Sequence, residues 1–395
     1  MKYAAITDRL AHLGGAKWEV HARAKALQAA GKPVIQLTIG EPDVATPPAL
    51  IAEAKRAMDA GRLGYSNGRG EPALLEALAA RYSKRTGRAI STEQIACLPG
   101  TQTALYAVLL TLTGPGDEVL VGDPLYATYE RLIAATGAVA VPVPLRAEAG
   151  FRMQAADVAA RITKRSRMIF LNTPHNPTGA ILTADDIAAL GALAKQHDLW
   201  MLSDEVYEEL VFAGGRFASP LDNADLADRV VVTASISKSH AAPGFRSGWC
   251  VGPEEFSAKL LPVAETMLFG NQPFIADMTA LAVSAPSEVA QGMAARFARR
   301  AGLIYEKLNG VNGLRVHRPD AGMFTVVDVN ATGLSGEGFA LGLLADEGVA
   351  VMPGESFGTA LAGWVRISLT QEDAQVAEAC DRIARYAALK QGMAA

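Results

Sequence analysis

Between residues 95 and 235 this chain alternates short β-rich runs with stretches of helical periodicity, and that alternation constrains the fold more than any other feature. Ile95–Leu98 and the runs 118–122, 139–143, 168–171, 199–203 and 230–234 predict strands. Thr101–Leu112, 126–135 and 183–197 predict the helices between them. Thr183 sits as an N-cap with Asp186 three residues on, a capping-box spacing. Strands alternating with helices dictate a mostly parallel sheet covered by helices. After about residue 285 the pattern changes. A long helix (Glu288–Leu308), strands near 314–316 and 323–329, a helix near 337–347, a strand over 364–369 and a closing helix follow. A helix over 17–30, closed by Gly31, is expected to pack with this part. We expect a large α/β domain over 48–285 and a smaller α+β domain assembled from 1–47 and 286–395.

Composition narrows the function classes. With 50% apolar residues, 20% charged residues and a net charge of −4, the 395-residue chain is globular rather than disordered. It lacks the basic excess of a nucleic-acid binder. Cys97, Cys250 and Cys380 are odd in number and far apart, which is neither a disulfide framework nor a zinc signature. The six histidines show no metal spacing, so no metal is expected. Lys2, Asp8 and Arg9 precede no apolar run, so no signal peptide is read. The longest uncharged stretch, 94–116, is broken by Pro99, Gly100, Gly114 and Pro115 and cannot span a membrane. The expectation is a soluble cytoplasmic protein with neither nucleic-acid nor membrane partners.

Polar and glycine-rich clusters close the predicted strands, where open α/β sheets bind ligands. Pro99-Gly100-Thr101-Gln102 joins a strand to a helix; its free N–H groups suit an anion such as phosphate. Alone it reads better as an ordinary βα turn, since such turns are common. Asn172-Thr-Pro-His-Asn176-Pro-Thr-Gly179 is a stiff loop able to hold the Asn176 amide in one direction. Asp204 ends a strand and would be costly to bury without a cationic partner, and Tyr207 brings a phenol nearby. Lys238 lies among small hydroxyl residues, with Ser235 before it and Arg246 after it. Burial and neighbouring positive charge disfavour its ammonium form, and a neutral amine can form a Schiff base. Arg246 and Ser235 could also hold phosphate. Together the clusters supply an anion cradle, an acid, a phenol, an amide and an amine. Those are the parts that hold pyridoxal phosphate.

The runs Asn172…Asn176-Pro177-Thr178-Gly179, Asp204…Tyr207 and Ser235…Lys238…Pro243-Gly244…Arg246…Gly248 resemble the class I/II aminotransferases of pyridoxal-phosphate fold type I. The resemblance extends from Ile39-Gly40-Glu41-Pro42-Asp43 to Trp364-Val-Arg366-Ile-Ser368. It implies a mostly parallel seven-stranded sheet flanked by helices, with a smaller α+β domain from both chain ends. It also implies a ping-pong transaminase working between an L-amino acid and a 2-oxo acid. By this resemblance Lys238 carries the cofactor and moves the substrate proton, and Asp204 pairs with the pyridine nitrogen. Asn176 and Tyr207 bond the ring 3′ oxygen and Tyr126 stacks on the ring. The Gly100 turn, Thr101, Gln102, Ser235 and Arg246 contact phosphate. Tyr65 reaches the phosphate of a neighbouring subunit, which implies a homodimer with shared active sites. Arg366 grips the substrate α-carboxylate, with Gly40 and Asn176 beside the substrate. No counterpart is found of the second arginine that aspartate-specific members use. Residues 198–207, 237–241 and 267–270 are most similar to arginine–pyruvate transaminases, which suggests L-arginine as donor and pyruvate as acceptor.

Other readings remain beside this one. An aspartate- or aromatic-type aminotransferase or a carbon–sulfur β-lyase would share every cofactor residue. A cofactor-binding transcription regulator would carry a basic domain ahead of the anion loop, which already begins at residue 99. Gly68-Arg-Gly-Glu-Pro-Ala73 fits a loose dinucleotide fingerprint but follows a polar segment and contains Pro72. Gly354-Glu-Ser356-Phe-Gly358 fits a nucleophile elbow, yet no histidine follows His317.

Overall fold

A computed structural model describes residues 1–11, 13, 18–268 and 270–394, the last two by backbone alone. The predicted start of the first long helix at Lys17, and Phe269 within the run 267–270, lie outside the described residues.

The first strand, β1 (Ile35–Gln36), belongs to the second unit described below. The central sheet comprises β2 (Ile95–Leu98), β3 (Glu118–Asp123), β4 (Val139–Pro144), β5 (Ser166–Asn172), β6 (Trp200–Asp204), β7 (Val230–Ser235) and β8 (Gly248–Val251). Their order is β2-β8-β7-β6-β5-β3-β4. Every pair is parallel except the two made by β8, which runs antiparallel between β2 and β7. This is the expected α/β sheet of fold type I.

The strands are apolar on both sides because both sides are covered. Alternate residues enter separate cores: Ile169, Leu171 and Met201 on one face, Met168, Phe170 and Leu202 on the other. Helices Pro72–Thr86 and Ala184–Gln196 cover the first face, Thr101–Leu112 and Glu254–Glu265 the second. Thr183 caps its helix reciprocally with Asp186, as the spacing predicts.

A four-stranded antiparallel sheet holds β9 (Arg315–Val316), β10 (Phe324–Asp328), β12 (Met352–Pro353) and β13 (Trp364–Ser368), while β11 (Val349–Ala350) pairs with β1. Its core joins Val20 and Leu37 from the first end of the chain to Phe297, Phe339 and Ile383 from the last. The smaller α+β unit is therefore built from both chain ends.

Two elements differ from expectation. The helix predicted over 126–135 begins only at Tyr129 (Tyr129–Thr136). Leu125 N–H donates to Phe357 O at 2.8 Å, which ties the preceding segment to the second unit and leaves Tyr126 outside the helix. Strand β8 was not anticipated, because four residues opening on Gly248 carry little periodic signal. Among the described residues, no helix is long and apolar enough to cross a membrane.

Candidate active site

Strands β5, β6 and β7 are neighbours whose ends lie close together: Asn172 pairs with Asp204, Asp204 pairs with Thr233, and β7 runs two residues further to Ser235. Beyond those ends lies a cavity of about 340 Å³ lined by Asp204, Tyr207, Asn176, Lys238, Arg246 and Arg366, among others. Gly40, Thr101, Gln102, Tyr126 and Ser235 line it too. Residues from six loops and both units thus converge where a parallel sheet presents its ligand site.

Lys238 stands in the short helical turn Ile236–Ser239 that follows β7. Its Nζ donates to Gly40 O at 2.7 Å. Burial pulls the amine down to about 8, Glu41 opposes that shift, and Arg366 and Arg246 add to it. About a tenth of the amine is therefore unprotonated at pH 7, far more than for an ordinary lysine.

Asp204 is the last residue of β6 and is buried. Tyr129 OH donates to its Oδ2 at 2.7 Å, and Val206 N–H donates to its Oδ1 at 3.2 Å. Burial raises this acid to about 6 despite both donors. No cation among the described residues is ion-paired to it.

Arg366 comes from β13 of the second unit and is buried. Its guanidinium lies 3.8 Å from the Phe324 ring centroid and 4.4 Å from that of Phe357. Nη1 donates to Asn176 Oδ1 at 3.0 Å and Nη2 to Thr38 O at 2.5 Å, while the buried Nε has no hydrogen-bond partner. Burial draws the group down to about 10, so it remains a cation, with its Nε the one nitrogen left without a partner among the described residues. Asn172 holds the Asn176 backbone: its Oδ1 accepts from Asn176 N–H at 2.9 Å. Burial pushes the Tyr207 phenol above the usual range, and neighbouring Arg366 and Asn176 oppose that shift.

The antiparallel β8 explains how the anion loop meets Arg246. Gly248 pairs with both Leu98 and Ser235, which brings the ends of β2 and β7 to one edge. A Cβ on Gly248 would fall 2.6 Å from the Gly100 carbonyl carbon. Gly100 itself has φ +82°, and a Cβ there would fall 2.2 Å from Arg246 Nη2. Only glycines allow this approach. The Thr101 hydroxyl is buried with no hydrogen-bond partner. Gln102 and Thr128 bond one another at 3.2 Å on the rim.

All but two of the sequence-predicted site residues line this cavity. Gly100 stands directly behind it, and Tyr65 lies apart from it with 94% of its surface exposed. Tyr129, Trp18 and Phe324 also line the cavity and were not anticipated. The Tyr126-Ala-Thr-Tyr129 spacing was the one available signal for Tyr129, because the register of its helix decides where the phenol goes. Among the described residues there is no cluster of three or more potential metal ligands.

A lysine and an acid facing one hollow at the strand ends of a fold-type-I sheet define an α/β enzyme class that works on small molecules. Residues 32–383 match the model of the aminotransferase class I and II family, and the chain belongs to that family. It is 45% identical over 394 residues, covering all of both chains, to an arginine–pyruvate transaminase of Pseudomonas aeruginosa. It is 34% identical to an aspartate/prephenate aminotransferase of Cereibacter sphaeroides, covering 93% of this chain and 94% of that one. A double mutant of the aspartate aminotransferase of Thermus thermophilus superposes with a TM-score of 0.90 at 30% identity, covering 98% of this chain and all of that one. The protein is an aminotransferase and exchanges an amino group between an amino acid and a 2-oxo acid.

Proposed function

We propose that the cavity holds pyridoxal 5′-phosphate and that the enzyme transfers the amino group of L-arginine to pyruvate. The observation carrying the cofactor is the pairing of Lys238 with Asp204 across one hollow. Three features support the fit. The Thr101 hydroxyl is buried without a partner at a helix N-terminus, as a phosphate site requires. The bare Gly100 backbone lets the Arg246 guanidinium close over that terminus. Asp204 is an acid buried without a cation, and a protonated pyridine nitrogen would supply one. When bound, the cofactor offers an aldehyde to amines and a ring that withdraws electrons from the substrate Cα.

The remaining chemistry belongs to the chain. The Lys238 amine would bind that aldehyde and, once substrate displaced it, would move the proton between the substrate Cα and the cofactor. Asp204, held by Tyr129 and Val206, keeps the ring nitrogen protonated. Tyr207, Asn176 and Tyr126 line the cavity and would hold the ring of the cofactor. Gln102 and Ser235 complete the phosphate end. Arg366 would meet the α-carboxylate with its guanidinium, whose Nε has no partner, with Gly40 alongside. Its two aromatic neighbours fix the plane of the guanidinium.

Our reading includes a homodimer in which Tyr65 completes the partner's site. Leu63 and Tyr65 are 64% and 94% exposed, and large apolar side chains left bare in this way suit burial against a second copy. We place the unit boundaries at 47/48 and 285/286, and a cytoplasmic location accords with three free, buried cysteines. The donor rests on the full-length identity to the arginine–pyruvate enzyme. The test mixes loaded enzyme with arginine, alanine, aspartate or phenylalanine and follows the visible band of bound cofactor. Arginine should bleach it fastest, and pyruvate should restore it. Ammonia release with a returning band would overturn transamination by this site, and a faster response to aspartate would overturn the donor.

A further inference from the structure

Behind the cavity, the loop Asp204-Glu205-Val206-Tyr207-Glu208-Glu209 has a second face. Asp204 and Tyr207 turn into the cavity. Glu205, Glu208 and Glu209 turn toward helix Pro72–Thr86, which presents Arg81 and Arg85 one turn apart on one face. Arg85 Nη1 lies 3.0 Å from Glu205 Oε2 and 2.6 Å from Glu208 Oε2. Its Nε reaches Asp222 at 3.1 Å and its Nη2 reaches Ser219 Oγ at 3.0 Å. Arg81 Nη2 lies 2.8 Å from Glu208 Oε1 and 2.9 Å from Glu209 Oε1.

The chain of contacts continues to the lysine. Ser287 N–H donates to Glu209 Oε2 at 2.9 Å, and Ser287 Oγ donates to Ser239 O at 2.6 Å. Ser239 is the residue after Lys238. The helix is itself pinned to the sheet, since Trp249 Nε1 donates to Tyr82 OH at 2.8 Å.

We infer that Arg81 and Glu209 are positioning residues for the transamination site, coupling the loop that carries Asp204 and Tyr207 to the turn that carries Lys238. Neither residue lines the cavity. Both act on the relative placement of two loops whose reacting groups must meet one substrate carbon. A displacement of about 1 Å at such a carbon costs up to ~10²-fold in rate. The inference rests on the roles proposed above for Lys238 and Asp204.

The experiment compares Glu209→Gln and Arg81→Met with the parent, each loaded with cofactor. Glu209→Gln keeps the side-chain shape and removes one of the two carboxylate charges that hold Arg81, leaving that of Glu208. We expect kcat to fall about tenfold, with KM for the amino donor changed less than about threefold. We expect the pH midpoint of the visible band to move by about 0.5 unit, because the lysine turn shifts relative to its neighbours. Arg81→Met should change both readouts in the same direction, and Arg81→Lys should recover most of the loss. A lower melting temperature with unchanged kcat and midpoint in Glu209→Gln would show a scaffold only and overturn the inference, whether or not Arg81→Met folds. Lys238→Ala separates the two failures. If it keeps the visible band, the proposed lysine role has failed; if it loses the band while Glu209→Gln matches the parent, only the coupling has failed.

Discussion

The two faces of the loop after β6 are built on opposite terms. On the rear face, Glu205, Glu208 and Glu209 each meet a cation or a designated donor, and Arg85 reaches three carboxylates and a hydroxyl. On the cavity face, Asp204 has no cation, Arg366 Nε and Thr101 Oγ1 have no partner, and Lys238 donates only to a backbone carbonyl. Burial raises both adjacent acids, Asp204 to about 6 and Glu205 to about 7. Only Glu205 is answered by a guanidinium. On this loop the completed polar contacts belong to the scaffold, and the uncompleted ones face the cavity.

The sharpest way to break this contrast is at the lysine. Lys238→Ala should remove the visible band and lower turnover by at least about 10³-fold, with little change in melting temperature. On the rear face the balance should reverse. Arg85→Ala strands the buried Glu205 and should cost about 3–5 kcal/mol of stability, read by denaturant unfolding.

Asp204 tests the comparison through pH. Its carboxyl is raised from 3.8 to about 6, so between those values the native state holds a proton that the unfolded chain has released. Stability of the cofactor-free protein should therefore fall as pH rises through that window, by roughly 3 kcal/mol in total. Asp204→Asn should abolish that slope while lowering turnover of the loaded enzyme by about 10²-fold. A flat profile in the parent would contradict the uncompensated acid.

Arg366→Ala should raise KM for every amino donor alike by about 10- to 100-fold, the value of a charge-assisted pair. An effect confined to one donor class would place the α-carboxylate elsewhere. The smallest change is expected for Tyr129→Phe, which removes one of two donors to Asp204. It should cost about tenfold in turnover, and it should raise the acid further, moving the stability slope to higher pH.

Much of this site was legible in the sequence because its groups sit at strand ends, and strand ends are set by local pattern. Asn172, Asp204 and Ser235 close three runs of apolar residues, and the sheet register puts those ends side by side. The glycines around Gly100 and the stiff loop to Gly179 announce themselves by residue type. Tyr129 was not legible, because the helix predicted from 126 begins three residues later. The strand at Gly248 escaped because its four residues carry no repeat, so the resemblance brought Gly100 and Arg246 to one phosphate without the strand that joins them.

The sequence by itself determined the alternating architecture, the strand-end chemistry and the kinship with aminotransferases, since these follow from local periodicity and short motifs. Only the tertiary structure decided that Arg366, which the resemblance already brings to the site of Lys238, lies against two aromatic rings there. It alone decided that the glutamates flanking Tyr207 turn away toward Arg81 and Arg85. The reason is physical: whether a buried charge is satisfied depends on partners far along the chain, and no local pattern records which of them will arrive.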